Sequence, residues 1–194
     1  MNSRVSLLRQ LSSKSLSQEQ RAELRCQLAK ELAESGHYED ARNAMAGLWQ
    51  RIGEYPKIEG LDEHAAAEVL LRVGVLTGWI GSCNQIEGAQ EIAKNLITES
   101  ISLFESLSDT QKILEAQTEL AYCYWREGAF DEACIILKEV LARLTTDSEL
   151  KAKAVLRSAI VEWDATRQKG AFRILTEFAP LFQKIESHSI KGGY

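Results

Sequence analysis

The side chains able to do chemistry are few and scattered. Three histidines occur, His37, His64 and His188, and none lies in a ligand-like motif. His64 and Glu68 stand four residues apart, a spacing that would aim both at one metal ion from one helix face. Two ligands do not close a zinc site, however, and no second pair accompanies them. Gly81 and Gly88 flank a loop-like stretch, but no Gly-Lys-Ser/Thr follows to build a phosphate cradle. No serine sits in a G-x-S-x-G elbow. None of Cys26, Cys83, Cys123 and Cys134 has a C-x-x-C partner or an adjacent histidine to activate it. The carboxylate pairs Glu39-Asp40 and Asp131-Glu132 fall in expected first helical turns, where negative charge meets the helix dipole favourably. No catalytic residue, metal ion or cofactor is expected.

The scaffold that must position any site is helical. Of 194 residues, 45% are apolar and 26% charged, which excludes a disordered chain. Two prolines and twelve glycines are too few for a turn-rich β-sandwich. The net charge of −5 lacks the electrostatic footprint of a nucleic-acid binder. The first 30 residues lean the other way, with Arg4, Arg9, Lys14, Arg21, Arg25 and Lys30 against Glu19 and Glu23. That face is either solvated or a contact for an acidic partner. No unbroken apolar run of membrane-spanning length is evident, and the N-terminus lacks the apolar core of a signal peptide. The four cysteines therefore read as reduced, mostly buried small hydrophobes of a cytoplasmic protein.

The chain repeats itself. GHYEDARNAM from Gly36, GAQEIAKNLI from Gly88, GAFDEACIIL from Gly128 and GAFRILTEFA from Gly170 each open on glycine. Each carries a small or apolar residue five places later: Ala41, Ala93, Ala133 and Leu175. The intervals between the glycines are 52, 40 and 42 residues. Amphipathic runs flank each glycine, so the unit is helix, tight turn, helix. Glycine supplies a left-handed turn, and the small residue sits where two helices cross closely. Ser17–Gln20, Ser108–Gln111 and Thr146–Glu149 have capping-box spacing. Helices are predicted near 3–11, 18–35, 38–53, 62–80, 87–107, 110–127, 130–145, 148–169 and 171–187, giving hairpins at 18–53, 62–107, 110–145 and 148–187.

Leu120-Ala121, Tyr124, Gly128, Phe130, Ala133 and Leu137 fall on the spacing of the tetratricopeptide repeat. Leu28-Ala29, Leu32, Gly36, Tyr38, Ala41 and Met45 match the same frame. The second hairpin matches through Val73-Gly74 and then carries extra residues; the fourth departs from the pattern, with Trp163 where a small residue belongs. The signpost tryptophan of the family is missing, and the period exceeds the usual one. Over residues 18–187 the chain resembles longer-helix tetratricopeptide repeats, similar to those in regulatory arms of large bacterial transcription activators.

The resemblance implies an all-α, right-handed solenoid of about four stacked hairpins whose first helices line a concave groove. Carried over position by position, it places Glu23, Cys26, Lys30 and Glu34 on that groove from the first hairpin. Glu68, Leu71, Val75 and Trp79 follow from the second, and Glu115, Thr118, Tyr122, Trp125 and Arg126 from the third. Arg157, Ile160, Asp164, Arg167 and Gln168 follow from the fourth. Tyr122, Trp125 and Arg126 are residue types that dominate binding hot spots; the competing reading is packing between adjacent repeats.

The function expected is non-enzymatic protein binding, with a peptide or partner segment in the groove and no nucleic acid or membrane contact. The alternatives are a sensor arm at the N-terminus of a larger bacterial transcription regulator, and a receptor for a signalling peptide or small molecule. Ile174, Leu175, Phe178, Leu181, Phe182 and Ile185 are too many large apolar residues for one helix face. The C-terminal end is accordingly expected to be unsatisfied, either continuing past Tyr194, with Ser189–Tyr194 beginning another helix, or pairing as a homodimer.

Overall fold

The computed structural model describes residues 3–13 and 15–185. Among them all regular structure is helical, without strands. In chain order the helices are α1 (Ser3–Leu11), α2 (Gln18–Ala33), α3 (Tyr38–Ala44), α4 (Glu63–Cys83), α5 (Ala89–Ser106), α6 (Thr110–Arg126), α7 (Phe130–Arg143), α8 (Glu149–Asp164), α9 (Gln168–Glu177) and α10 (Ala179–Lys184). Two compact units result, Met1–Ile113 and Leu114–Tyr194. The expected Ser189–Tyr194 helix start lies outside the described residues.

In the first unit, Ala22, Cys26 and Ala29 of α2 and Ala41 of α3 pack with Met45 and Trp49 against Val69, Leu70, Val73, Leu76 and Ile80 of α4. The helix expected over 38–53 stops at Ala44, because the chain turns through Gly47 at φ 91°. Met45 and Trp49 reach the core from that turn, so their helical spacing reported burial rather than helix. One expectation of the sequence is corrected in α4. Its length and composition suffice to cross a membrane, but 83% of its apolar stretch is buried, as in a core helix.

The basic N-terminal region turns inward. Arg4 donates to the Glu31 carbonyl at 3.0 Å, Arg21 to those of Leu11 and Ser13 at 3.2 and 3.3 Å, and Arg25 to that of Ala44 at 2.8 Å. Glu31, Leu11 and Ala44 lie in final turns of α2, α1 and α3, where helices leave carbonyls without internal donors. Three of the six cations thus hold helix ends together.

In the second unit, Leu114 and Ala121 of α6 pack with Ala133, Leu137 and Val140 of α7 and Ala154 and Val161 of α8. Leu181 and Ile185 are buried against Ala152 and Val155 of α8, with Ile174, Phe178 and Phe182 packed around them. Five of the six large apolar residues expected to crowd this end, all but Leu175, join this cluster. The expected helix over 171–187 breaks at Phe178, because Pro180 has no N–H to donate to the Thr176 carbonyl.

Five helix ends close with one hydrogen-bond pattern. A residue with positive φ donates to the carbonyl three back, and its successor donates to the carbonyl five back. Gly36 and Gly128, both at φ 79°, end α2 and α6 as expected. Gln85, Ser108 and Thr166, at φ 52°, 56° and 63°, end α4, α5 and α8 in the same way. Gly88 instead starts α5, and Gly170 lies inside α9. The fourth repeat frame therefore moves four residues toward the N-terminus, so that Ala159 and Ala171 take the places that Ala121 and Ala133 hold in the third. Both are buried. Seven residues before the left-handed residue of each hairpin turn stands a small buried one: Ala29, Gly78, Ala121 or Ala159.

Helix starts differ in detail. Ser17 and Gln20 form the full capping box. Asp109 rather than Ser108 caps α6, accepting from Lys112 N at 3.0 Å. Ser148 rather than Thr146 caps α8, accepting from Lys151 N at 3.2 Å.

Thr166 is β-branched and exposed, the least favourable residue type for a left-handed position. The conformation costs a non-glycine residue about 1–2 kcal/mol, part of which glycine returns as unfolded-chain entropy. Thr166→Gly is expected to stabilise by about 1 kcal/mol, raising Tm by about 2–4 °C in a thermal melt. Gly36→Ala is expected to lower it.

Candidate functional site

The face that α6 and α8 share in the second unit gathers five of the residues predicted from the sequence. Tyr122, Trp125 and Arg126 lie on one α6 face at the i, i+3, i+4 spacing. Arg157 and Asp164 lie seven residues apart on α8, two turns along one face. Tyr122 and Trp125 stack with centroids 4.5 Å apart and planes at 22°. The guanidinium carbons of Arg126 and Arg157 each lie 4.4 Å from the Tyr122 centroid. Trp125 donates its indole N–H to Asp164 Oδ2 at 2.8 Å.

Beneath this stack lies a buried ionic group. Glu119 accepts from Arg157 Nη2 at 2.7 Å and pairs with Lys153 Nζ at 2.8 Å. Arg157 Nη1 also donates to the Thr118 carbonyl at 2.7 Å. Burial raises the Glu119 pKa, but Arg157 and Lys153 outweigh it and hold the carboxyl well below the usual range. The structure thus corrects the place of Arg157: at 7% exposure it braces the Tyr122 ring from inside instead of lining an open groove.

Tyr122, Trp125 and Arg126 are each half-buried, leaving their outer edges to solvent. Burial raises the Tyr122 phenol and lowers the Arg126 guanidinium from their ordinary pKa values. Burial also pushes the Cys123 thiol up to about 12, so neither phenol nor thiol supplies a nucleophile at neutral pH. The arrangement suits recognition: flat aromatic area, a cation over it, and side chains already held in place.

The other predicted groove positions do not join this cluster. Leu71 is fully buried, which removes it from any open surface, and Cys26, Glu68, Val75, Glu115 and Thr118 are buried too. In the first unit, Trp79 is half-buried and stacks on Tyr38 at 4.8 Å; Lys30 and Glu34 lie at the end of α2. Arg167 binds Asp131 at 3.0 Å, Glu162 at 3.1 Å and the Cys134 sulfur at 3.2 Å, clasping α7 to α8. His64 and Glu68 part company, His64 toward Glu23 at 3.3 Å and Glu68 toward Lys112. The cysteines are free thiols, buried except for Cys83.

A cavity of about 320 Å³ in the first unit is lined by Gly36, His37, Tyr38, Glu39, Asp40, Ile80, Cys83 and Asn84. Its acidic residues belong to the first turn of α3, and Glu39 is paired with Arg42 at 2.7 Å.

No protein-family model matches the chain, and no curated protein matches it.

Proposed function

We propose that the chain is a non-enzymatic interaction module that holds a peptide or partner segment against the outer edges of Tyr122, Trp125 and Arg126. The observation that carries this reading is their pre-ordering: α8 braces the stack through Arg157 and Asp164 before any partner arrives. Aromatic and arginine side chains fixed in this way lose little freedom on binding, which is what makes such residues hot spots. The recurring helix end and the small residue seven places before it support a right-handed tetratricopeptide-like solenoid as the scaffold.

A pull-down from the source cell tests the reading. The Trp125→Ala/Arg126→Ala variant is expected to lose a partner that wild type retains, while its circular dichroism stays helical. Trp125→Phe, which keeps the stack but not the bond to Asp164, should retain the partner. A double variant that stays folded and still retains the partner would overturn the assignment.

A further inference from the structure

Among the described residues of the second unit, the most exposed aromatic side chains lie away from the Tyr122 stack. Trp163, at the end of α8, is 50% exposed, and Phe172 of α9 is 62% exposed. Their rings meet edge to face at 5.9 Å and 73°. Two large rings packed on each other in water are unlike the scattered single apolar residues that any protein surface carries.

The α9 side of the pair is mostly basic, while Glu162 and Asp164 flank Trp163 in the chain. Residues 165–185 hold four basic side chains and one acidic, in a chain of net charge −5. Lys184 is taken by Asp147 at 2.8 Å, and Arg167 by Asp131 and Glu162. Lys169, one turn before Phe172 on α9, and Arg173, next to it, are exposed and make no ion pair among the described residues. Of the nearby carboxylates, Glu162 and Asp131 pair with Arg167, and Asp164 accepts from the neutral Trp125 indole. Glu177, one turn on from Arg173, is the remaining acid of α9 and does not pair with it.

We infer that Trp163, Phe172, Lys169 and Arg173 form a second docking surface, whose occupant is an acidic segment of a partner protein with interspersed apolar side chains. The rings supply apolar contact area, and the two cations meet carboxylates, which fixes register and speeds encounter. A second copy of this chain does not fit. A two-fold contact centred on the patch would bring the basic pairs Lys169 and Arg173 of the two copies close together. Single-stranded nucleic acid fits poorly too, because two cations neutralise few phosphates and the rest of the chain is acidic.

Fluorescence anisotropy with the full chain tests this. The probe is a labelled dodecapeptide in which Asp and Glu alternate with Phe and Leu; its control carries Asn and Gln in place of the acids. Saturable binding of the acidic peptide is expected, weakening with added salt. It should weaken about tenfold in Phe172→Ala and again in Lys169→Glu/Arg173→Glu. All three α9 side chains are exposed, so their variants should melt as wild type does. Four results would each overturn the inference: no saturable binding; equal binding of the control peptide; tighter binding of an oligothymidylate than of the peptide; or a wild-type dimer that Phe172→Ala dissociates.

Discussion

Glu119→Leu should lower folding stability by about 3–5 kcal/mol in urea denaturation at neutral pH, the range seen when one member of a buried ion pair is removed. Glu119 and Arg157 are both nearly inaccessible, at 4% and 8% side-chain exposure. Once the carboxylate is gone, Arg157 keeps a single neutral acceptor, the Thr118 carbonyl, for a guanidinium that water cannot reach. Lys153 suffers less, because at 27% exposure its flexible stem can carry the ammonium outward. Glu119→Leu/Arg157→Met should therefore recover most of the loss, since a packed apolar pair replaces a desolvated ionic one at little net cost. If the double variant is less stable than Glu119→Leu alone, the damage comes from lost packing beside Tyr122 and not from an orphaned charge.

The same pair makes stability depend on acid. Because the Glu119 pKa is lowered on folding, the folded state binds fewer protons than the unfolded chain below the ordinary Glu value of about 4.3. The pairing contributes fully above that value and is lost as pH falls toward the lower folded value. Wild type and Glu119→Leu should accordingly keep a constant gap down to pH of about 5 and draw together as pH falls below about 4. A gap that does not narrow there would mean the carboxylate is not the origin of the difference.

Much of the helical order was legible because its signals are local. Gly36 and Gly128 marked true helix ends, and Ala41 and Ala133 marked fully buried positions. The ends at Gln85, Ser108 and Thr166 carry no such mark, because a non-glycine residue forced into the left-handed region looks ordinary in a sequence. Trusting Gly170 instead of Thr166 shifted the last repeat by four residues and put Trp163 at a crossing that Ala159 occupies. Tyr122, Trp125 and Arg126 were placed together by the family resemblance, and their spacing puts them on one helix face. That Arg157 and Leu71 lie inside was not legible, because periodicity gives a residue's face but not what covers it. The Trp163–Phe172 contact joins two helices across the Thr166 turn, so no single-helix pattern contains it.

Gly74→Ala in α4 should destabilise, although the same change in an ordinary helix interior gains about 1 kcal/mol from propensity. The reversal follows from how closely α5 approaches. A Cβ at Gly74 would lie 2.7 Å from Ile97 Cγ1, 3.1 Å from the Ala93 carbonyl oxygen and 3.3 Å from the Ile97 nitrogen. Two of those three neighbours are helix backbone and cannot rotate away. One register repeat along the same face, a Cβ at Gly81 would overlap Ala89 Cβ. One repeat in the other direction, Ser100 Oγ donates to the Ala67 carbonyl at 2.9 Å, a contact that also needs the backbones close. Ala67, Gly74 and Gly81 thus form a flat stripe along α4, met by Ser100, Ala93 with Ile97, and Ala89 on the antiparallel α5. Enlarging one position must separate the helices along the whole stripe, so its cost is not confined to one contact. Gly74→Leu is expected to exceed the usual overpacking range of about 1–3 kcal/mol and to lower Tm the most of any single change along this stripe. Thermal melts of Gly74→Ala, Gly74→Leu and Gly81→Val decide the matter. If Gly74→Ala melts higher than wild type, α4 and α5 are not in backbone contact, and the glycines serve some other purpose.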